Sequence, residues 1–81
     1  MIRVRLMERP DCGLCDEALV VLRRLSRRTR LDIERVDVTR DSELERRYVV
    51  RVPVLVVHDA ELDVAGIDEA AIGRWLDEVG R

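Results

Sequence analysis

The sequence contains no lysine, asparagine, glutamine or phenylalanine, and all fifteen of its basic residues are arginines. It has no apolar run approaching the roughly 20 residues that cross a bilayer. Its first residues also lack the continuous apolar stretch of a signal peptide. The formal charge of −2 predicts binding neither to nucleic acid nor to a membrane surface. We therefore expect a cytoplasmic protein without partners of either kind.

Cysteine and histidine are also scarce, with two cysteines and one histidine in 81 residues. A small secreted domain that relies on disulfides usually has about four cysteines or more. Zinc needs more ligands than two cysteines supply, and His58 is predicted to lie in a hairpin. The sequence predicts no metal site and no bound cofactor within a single chain. A zinc ion or iron–sulfur cluster shared between two copies is the alternative.

Length and apolar periodicity predict one folded domain, spanning residues 1–81, with elements in the order β-α-β-α-β-β-α. The predicted elements cover residues 2–7, 12–28, 31–38, 42–48, 54–57, 62–65 and 69–79. The first strand, helix and second strand form a βαβ unit with parallel strands, whereas the last two strands form an antiparallel hairpin. The sequence therefore predicts an α/β (α+β) fold, in which a four-stranded mixed sheet carries helices on both faces.

Polar residues before the helices predict how each helix begins. Asp11 is predicted to cap the first helix, and Asp68 the last. Ser42 and Glu45 have the spacing of a capping box, with Asp41 as a competing cap for the same short helix.

Two strands have patterns that predict more than their position. The run Val54–Val57 is apolar throughout, which is typical of a strand covered on both faces. In the second strand the alternation slips between Ile33 and Val36, so we expect a bulge near Glu34-Arg35. Residues 58–61 are predicted to form the turn of the hairpin.

The two cysteines, Cys12 and Cys15, lie where the first strand gives way to the first helix. On a helix, Cβ atoms at this spacing are about 5–6 Å apart, and the Cα atoms of a disulfide are ~4.4–6.8 Å apart. The pair can therefore open and close a disulfide with little backbone movement. Amides at a helix start lack partners and carry partial positive charge, which stabilises a thiolate. Cys12 is the better placed of the two, and Cys15 should be the more buried.

Three interpretations of this pair are open at this point. A CxxC pair at the strand-to-helix junction of a βαβ unit predicts a dithiol redox site. The second interpretation is the metal or cluster site shared between two copies. The third is a structural disulfide in a protein that binds partners without catalysis.

Three motifs in order resemble the glutaredoxin family of thioredoxin-fold proteins, in particular small bacterial glutaredoxin-like proteins. They are Cys12-Gly13-Leu14-Cys15 at the first helix, Val52-Pro53 before the third strand and Ala65-Gly66-Ile67-Asp68 before the last helix. The resemblance implies a sheet in the order 2-1-3-4 with the first and third helices on one face. It also implies a cis Val52–Pro53 bond that lies beside Cys12.

The resemblance further implies which residues bind substrate. Val52 would offer its backbone to an extended substrate, and Leu14, Val52 and Pro53 would form an apolar lip around the target sulfur. The turn Gly66-Ile67-Asp68 would bind the γ-glutamyl end of glutathione through the Ile67 amide and the Asp68 carboxylate. This chain has Arg51 where the family often has threonine.

These observations together predict a monomeric thiol–disulfide oxidoreductase. Cys12 would attack the disulfide of a protein or the mixed disulfide of a small thiol, and Cys15 would complete the exchange. Glutathione, another thiol or thioredoxin reductase would supply the electrons. The alternative is a thioredoxin-fold module that binds without turnover, or a dimer that shares a metal site.

Overall fold

Four strands form one mixed sheet in the computed structural model, which describes residues 1–80. The strands are β1 (Ile2–Glu8), β2 (Leu31–Asp37), β3 (Val54–Val57) and β4 (Ala60–Asp63). Their order across the sheet is β2-β1-β3-β4. β1 pairs in parallel with β2 and antiparallel with β3, and β3 pairs antiparallel with β4. The mixed sheet and the 2-1-3-4 order are both confirmed.

Three α-helices cover the two faces of this sheet. They are α1 (Gly13–Leu25), α2 (Ser42–Tyr48) and α3 (Glu69–Val79), and a short 3-10 helix, Val38–Arg40, precedes α2. Leu22 of α1 and Leu76 of α3 belong to one buried cluster with residues of β1 and β3. Tyr48 of α2 belongs to a second cluster, with Met7 and Val54. The prediction that the first and third helices share one face is confirmed.

The alternation of side chains along the central strands explains how both clusters form. In β1, Val4 and Leu6 join the cluster under α1 and α3, whereas Met7 joins the cluster under α2. All four residues of Val54–Val57 are buried, as the apolar run predicts. Among residues 1–80, no helix is both long enough and apolar enough to span a membrane.

The predicted bulge in β2 is wrong. Pairing between β1 and β2 runs without interruption from Ile2–Leu31 to Glu8–Asp37. The alternation slips in the sequence because Arg35 occupies a position on the α1 side of the sheet, two residues after Ile33. Its charge is satisfied there by Glu8, to whose carboxylate Arg35 Nε donates a hydrogen bond of 2.8 Å. An ion pair thus replaces the apolar residue that the pattern leads one to expect.

Several element ends also differ from the prediction. α1 ends at Leu25 rather than at Arg28, and Ser26 is its C-terminal cap. α2 is capped by Asp41, whose carboxylate accepts from two backbone amides, and Ser42 is already the first helical residue. The hairpin turn is shorter than predicted because His58 adopts a positive φ of 54°, which suits a two-residue turn. β4 consequently starts at residue 60 instead of residue 62.

We predict that Leu22→Ala lowers the free energy of unfolding by about 2–5 kcal/mol, because it opens a cavity beneath α1. Leu22 is fully buried between the helix and the sheet. Val20→Ala on the same helix is the matched control; since Val20 is half exposed, it should change the same quantity by only about 0.5 kcal/mol. Urea unfolding followed by circular dichroism measures both. Equal losses in the two variants would contradict this assignment of the core.

Candidate redox site

Three chain segments meet at one end of the sheet. Met7 near the end of β1 pairs with Val54 at the start of β3, and Val54 pairs with Asp63 at the end of β4. The segments that follow β1, precede β3 and follow β4 therefore lie at the same end of the sheet. The Val64 amide donates to the Pro53 carbonyl at 3.1 Å, which joins two of the segments directly. This end of the sheet carries all of the sequence motifs singled out above.

Cys12 and Cys15 form a disulfide at the start of α1, with their Cα atoms 5.2 Å apart. Cys12 is the N-terminal cap of the helix, and its sulfur accepts a hydrogen bond of 3.1 Å from the Cys15 amide. Cys12 remains 9% exposed, whereas Cys15 is completely buried. The prediction that Cys15 is the more buried residue is confirmed, and only Cys12 presents surface to a partner.

Asp11 does not cap α1, which corrects the sequence prediction. Its backbone has a φ of 56°, in the left-handed region that aspartate tolerates better than most residues. This turn follows Pro10 and places Cys12 in the extended conformation of a capping residue. The cap therefore moves to Cys12, and the amide that it satisfies is that of Cys15, three residues further along the chain.

The Val52–Pro53 peptide bond is cis, as the resemblance implies. The segment before it is held to the end of α2, because the amides of Arg51 and Val52 both donate to the Tyr48 carbonyl, at 2.8 and 3.0 Å. Since Pro53 also accepts from Val64, the chain around the cis bond is fixed on both sides.

The remaining predicted binding residues lie at the start of α1 and around the start of α3. Leu14, Gly66 and Ile67 line one groove of about 350 Å³, between α1 and the turn after β4. Gly66 has a φ of 77°, a conformation that glycine adopts without steric cost. Asp68 caps α3 as predicted, because its carboxylate accepts from the Ala71 amide at 2.8 Å.

An ion pair between the buried Glu8 and the exposed Arg35, at the end of β1, was not predicted from the sequence. Glu8 is only 8% exposed and receives two hydrogen bonds from Arg35, at 2.8 and 3.3 Å. The bond and the charge of Glu8 raise the pKa of Arg35 above its usual range. Both residues line a charged hollow with Asp11 and Asp16, beside the cysteines. One feature of the sequence could have indicated this pair. Glu8 continues the alternation of Val4 and Leu6 along β1, so its side chain is expected on the same buried face.

A second cluster that the sequence did not predict links the end of α2 to β4. The Tyr48 hydroxyl donates to Glu61 at 2.5 Å, and Arg51 donates to Glu61 and Asp63, both at 2.8 Å. The guanidinium of Arg51 also lies 5.2 Å from the centre of the Tyr48 ring. Arg51 immediately precedes Val52–Pro53, so this Tyr48–Arg51 cluster anchors the cis segment to the edge strand. In the sequence, Arg51 stands out only as a departure from the family's threonine.

The hydrogen bonds of this cluster shift two pKa values in opposite directions. The hydrogen bonds from Tyr48 and Arg51 both lower the pKa of the Glu61 carboxyl, and the bond from Tyr48 has the larger effect. The same bond to Glu61 raises the pKa of the Tyr48 hydroxyl, because the neutral hydroxyl is the donor. Within residues 1–80, no three His, Cys, Asp or Glu side chains are grouped so that they could hold a metal ion.

A known protein family matches most of this chain. Residues 3–77 match the family described as glutaredoxin-like domain (DUF836). The chain belongs to this glutaredoxin-like family. A comparison with curated proteins found no match.

Solved structures that are similar to this chain include a thioredoxin, so the chain has the thioredoxin fold. The protein XcR50 from X. campestris is 36% identical, with a TM-score of 0.79, over 93% of this chain and 96% of its own. Protein Ne2328 from Nitrosomonas europaea is 30% identical, with a TM-score of 0.78, over 91% and 89% of the two chains. A mutant thioredoxin from Halobacterium salinarum is 25% identical, with a TM-score of 0.71, over 99% and 75%. This fold and the Cys12–Cys15 disulfide together support a redox function for the glutaredoxin-like chain.

We predict that Tyr48→Phe lowers the free energy of unfolding by about 1–2 kcal/mol, because it removes a hydrogen bond to a charged carboxylate but keeps the ring. Glu43→Gln, which breaks an exposed pair with Arg46 within α2, is the control and should cost at most about 0.5 kcal/mol. Urea unfolding at neutral pH compares the two variants. A loss for Tyr48→Phe no larger than for the control would mean that the Tyr48–Arg51 cluster does not stabilise the fold.

A second prediction concerns acid. Because the pKa of Glu61 is lowered in the folded protein, its contribution is complete above the unfolded value of about 4.3 and is lost as pH falls through the folded value. The stability difference between the wild type and Glu61→Gln should therefore be largest near neutral pH and should shrink as pH falls below about 4. Urea titrations at a series of pH values measure this difference. If the difference stays constant down to the lowest pH at which the protein still folds, the pKa of Glu61 is not lowered in the folded protein.

Proposed function

We propose that this protein is a thiol–disulfide oxidoreductase that uses Cys12 as its attacking thiolate. The observation that carries the proposal is the donation of the Cys15 amide to the Cys12 sulfur at the start of α1. A helix-start amide stabilises negative charge on the atom that it contacts. Cys12 is also the cysteine with exposed surface, so it is the one that an external disulfide can approach.

The reaction is two successive thiol–disulfide exchanges. The Cys12 thiolate attacks one sulfur of the substrate disulfide, and the other substrate sulfur leaves as a thiolate that takes a proton from solvent. Cys15 then loses its proton and attacks Cys12 Sγ, which releases the second substrate thiol and forms the Cys12–Cys15 disulfide. The substrate gains two electrons from the cysteine pair and two protons, one lost by Cys15 and one taken from solvent.

Burial separates the roles of the two cysteines. Cys15 is completely buried, yet its Cα lies 5.2 Å from that of Cys12, within the range of a disulfide. It can therefore reach the mixed disulfide on Cys12 but is shielded from external disulfides. The electrons that restore the dithiol would come from glutathione, another low-molecular-weight thiol or thioredoxin reductase.

The groups proposed to align the substrate lie at the same end of the sheet as Cys12. Leu14, which is half exposed, and the partly buried Val52 would provide apolar contacts next to the target sulfur. Pro53 is fully buried, so its predicted part in this apolar lip is wrong. The Val52 amide already donates to Tyr48, so an extended substrate would pair with the Val52 carbonyl. The Ile67 amide also donates within the protein, to the Val64 carbonyl at 3.1 Å, and Asp68 is engaged as a cap. A carboxylate-bearing thiol such as glutathione would have to compete with these bonds.

We predict that Cys12→Ser abolishes reduction of bis(2-hydroxyethyl) disulfide, because serine provides no thiolate, and that Cys15→Ser instead accumulates a mixed disulfide on Cys12. A coupled assay with glutathione follows turnover, and intact-protein mass spectrometry weighs the adduct. Circular dichroism checks that both variants keep the fold. Retained turnover in Cys12→Ser would refute the proposal. In a cell extract, the mass attached to the Cys15→Ser variant identifies the partner as glutathione, another thiol or a protein.

A further inference from the structure

The groove next to the cysteines is apolar and open. It lies between α1 and the turn after β4, has a volume of about 350 Å³, and is lined mainly by aliphatic side chains. Leu14 and Ile67, on its two walls, are 50% and 40% exposed, although both are large apolar residues. The groove also reaches Val21 and Ile72, which belong to the core cluster or pack on it. An apolar side chain that entered it would therefore cover surface that the fold leaves in water.

The groove is adjacent to Cys12 through two separate connections. Leu14 follows Cys12 by two residues on the first turn of α1. On the opposite wall, the segment that begins at Val64 is bonded to Pro53, in the cis segment at the same end of the sheet. A chain whose cysteine meets Cys12 can consequently place a neighbouring residue in the groove.

The charged residues at the rim are acidic. Among residues 1–80, Glu17 is the only charged residue that lines the groove, and it also lines the hollow next along α1, together with Asp16. Arg24 lines that hollow too, and Glu69 holds it at 2.8 Å. Within residues 1–80, neither Asp16 nor Glu17 forms a salt bridge of its own. The rim is therefore complementary to a cation beside the apolar side chain.

We propose that this groove selects an oxidised protein substrate in which an aliphatic residue and a basic residue lie near the disulfide cysteine, on the same side of it in the sequence. The aliphatic side chain enters between Leu14 and Ile67, and the arginine or lysine meets Asp16 and Glu17. In an extended segment, residues two apart lie on the same side, so an aliphatic residue two positions from the cysteine fits best. Glutathione has no aliphatic side chain for the groove, and its two carboxylates outweigh its single ammonium group, so it should fit this site less well. The inference rests on the proposed function and names the substrate class of that site.

The test uses four peptides, each with one cysteine disulfide-linked to 2-mercaptoethanol. They carry leucine or alanine two positions from the cysteine, and arginine or glutamate two positions further on, so that both side chains lie on the same side of an extended segment. Single-turnover reaction with the reduced wild-type protein gives a rate constant for each, relative to bis(2-hydroxyethyl) disulfide. We expect leucine over alanine to give about tenfold, and arginine over glutamate about threefold. The mixed disulfide of glutathione should react more slowly than the leucine–arginine peptide.

Matched variants separate the local charge from the net charge of the protein. Glu17→Arg should reverse the preference between the arginine and glutamate peptides. Glu78→Arg, on the exposed end of α3, makes the same change in net charge and should leave that preference unchanged. Ile67→Ser should reduce the leucine-over-alanine ratio; if this variant does not fold, the wild-type ratios decide the apolar part of the proposal by themselves.

The outcomes distinguish this inference from the proposed function. Rates within twofold for all four peptides, or equal effects of Glu17→Arg and Glu78→Arg, would overturn the inference while the oxidoreductase remains. A preference for the glutathione disulfide would overturn it as well. A dimer in sedimentation that blocks the leucine peptide would assign the groove to a second copy instead. No reaction with bis(2-hydroxyethyl) disulfide would remove the proposed function and the inference together.

Discussion

The hydrogen bond from the Cys15 amide to the Cys12 sulfur is the contact on which the site depends. A helix must leave its first amides without internal partners, and here one of them is satisfied by a sulfur atom rather than by a carboxylate or a hydroxyl. Because the chain turns at Asp11, the capping residue is Cys12 rather than Asp11, and the acceptor is a sulfur atom. The same bond therefore completes the helix and prepares the sulfur for negative charge.

Sheet pairing brings the rest of the site to this sulfur. The central position of β1 leaves Cys12 at the middle of one sheet end, with the cis segment before β3 on one side of it. The Tyr48–Arg51 cluster then holds that segment against the edge strand through Glu61 and Asp63. Segments that are distant in sequence thus meet at one end of the sheet, and the apolar groove lies between that end and α1.

Local patterns in the sequence predict the elements of this fold well. The spacing of Cys12 and Cys15 and the apolar run Val54–Val57 are local signals, and each led to a correct element. The strand order and the cis bond came only from the family resemblance. The bulge was predicted wrongly because Arg35 finds its partner, Glu8, 27 residues away, and a single sequence does not give that pairing. The partners of Tyr48 were missed for the same reason, since β4 register sets them.

The position of β2 at the edge of the sheet has a consequence for the behaviour of the chain in concentrated solution. β2 is the longer of the two edge strands, and in the part of the chain that the structure describes, one side of its seven-residue backbone has no neighbouring strand. Such a row of free amides and carbonyls is a template for aggregation. Its exposed middle carries Glu34 and Arg35, and Asp32 is paired with Arg3. Stacking identical copies in register along this edge would bring like charges together, so the charges that led to the wrong bulge prediction also oppose the growth of such cross-β fibres.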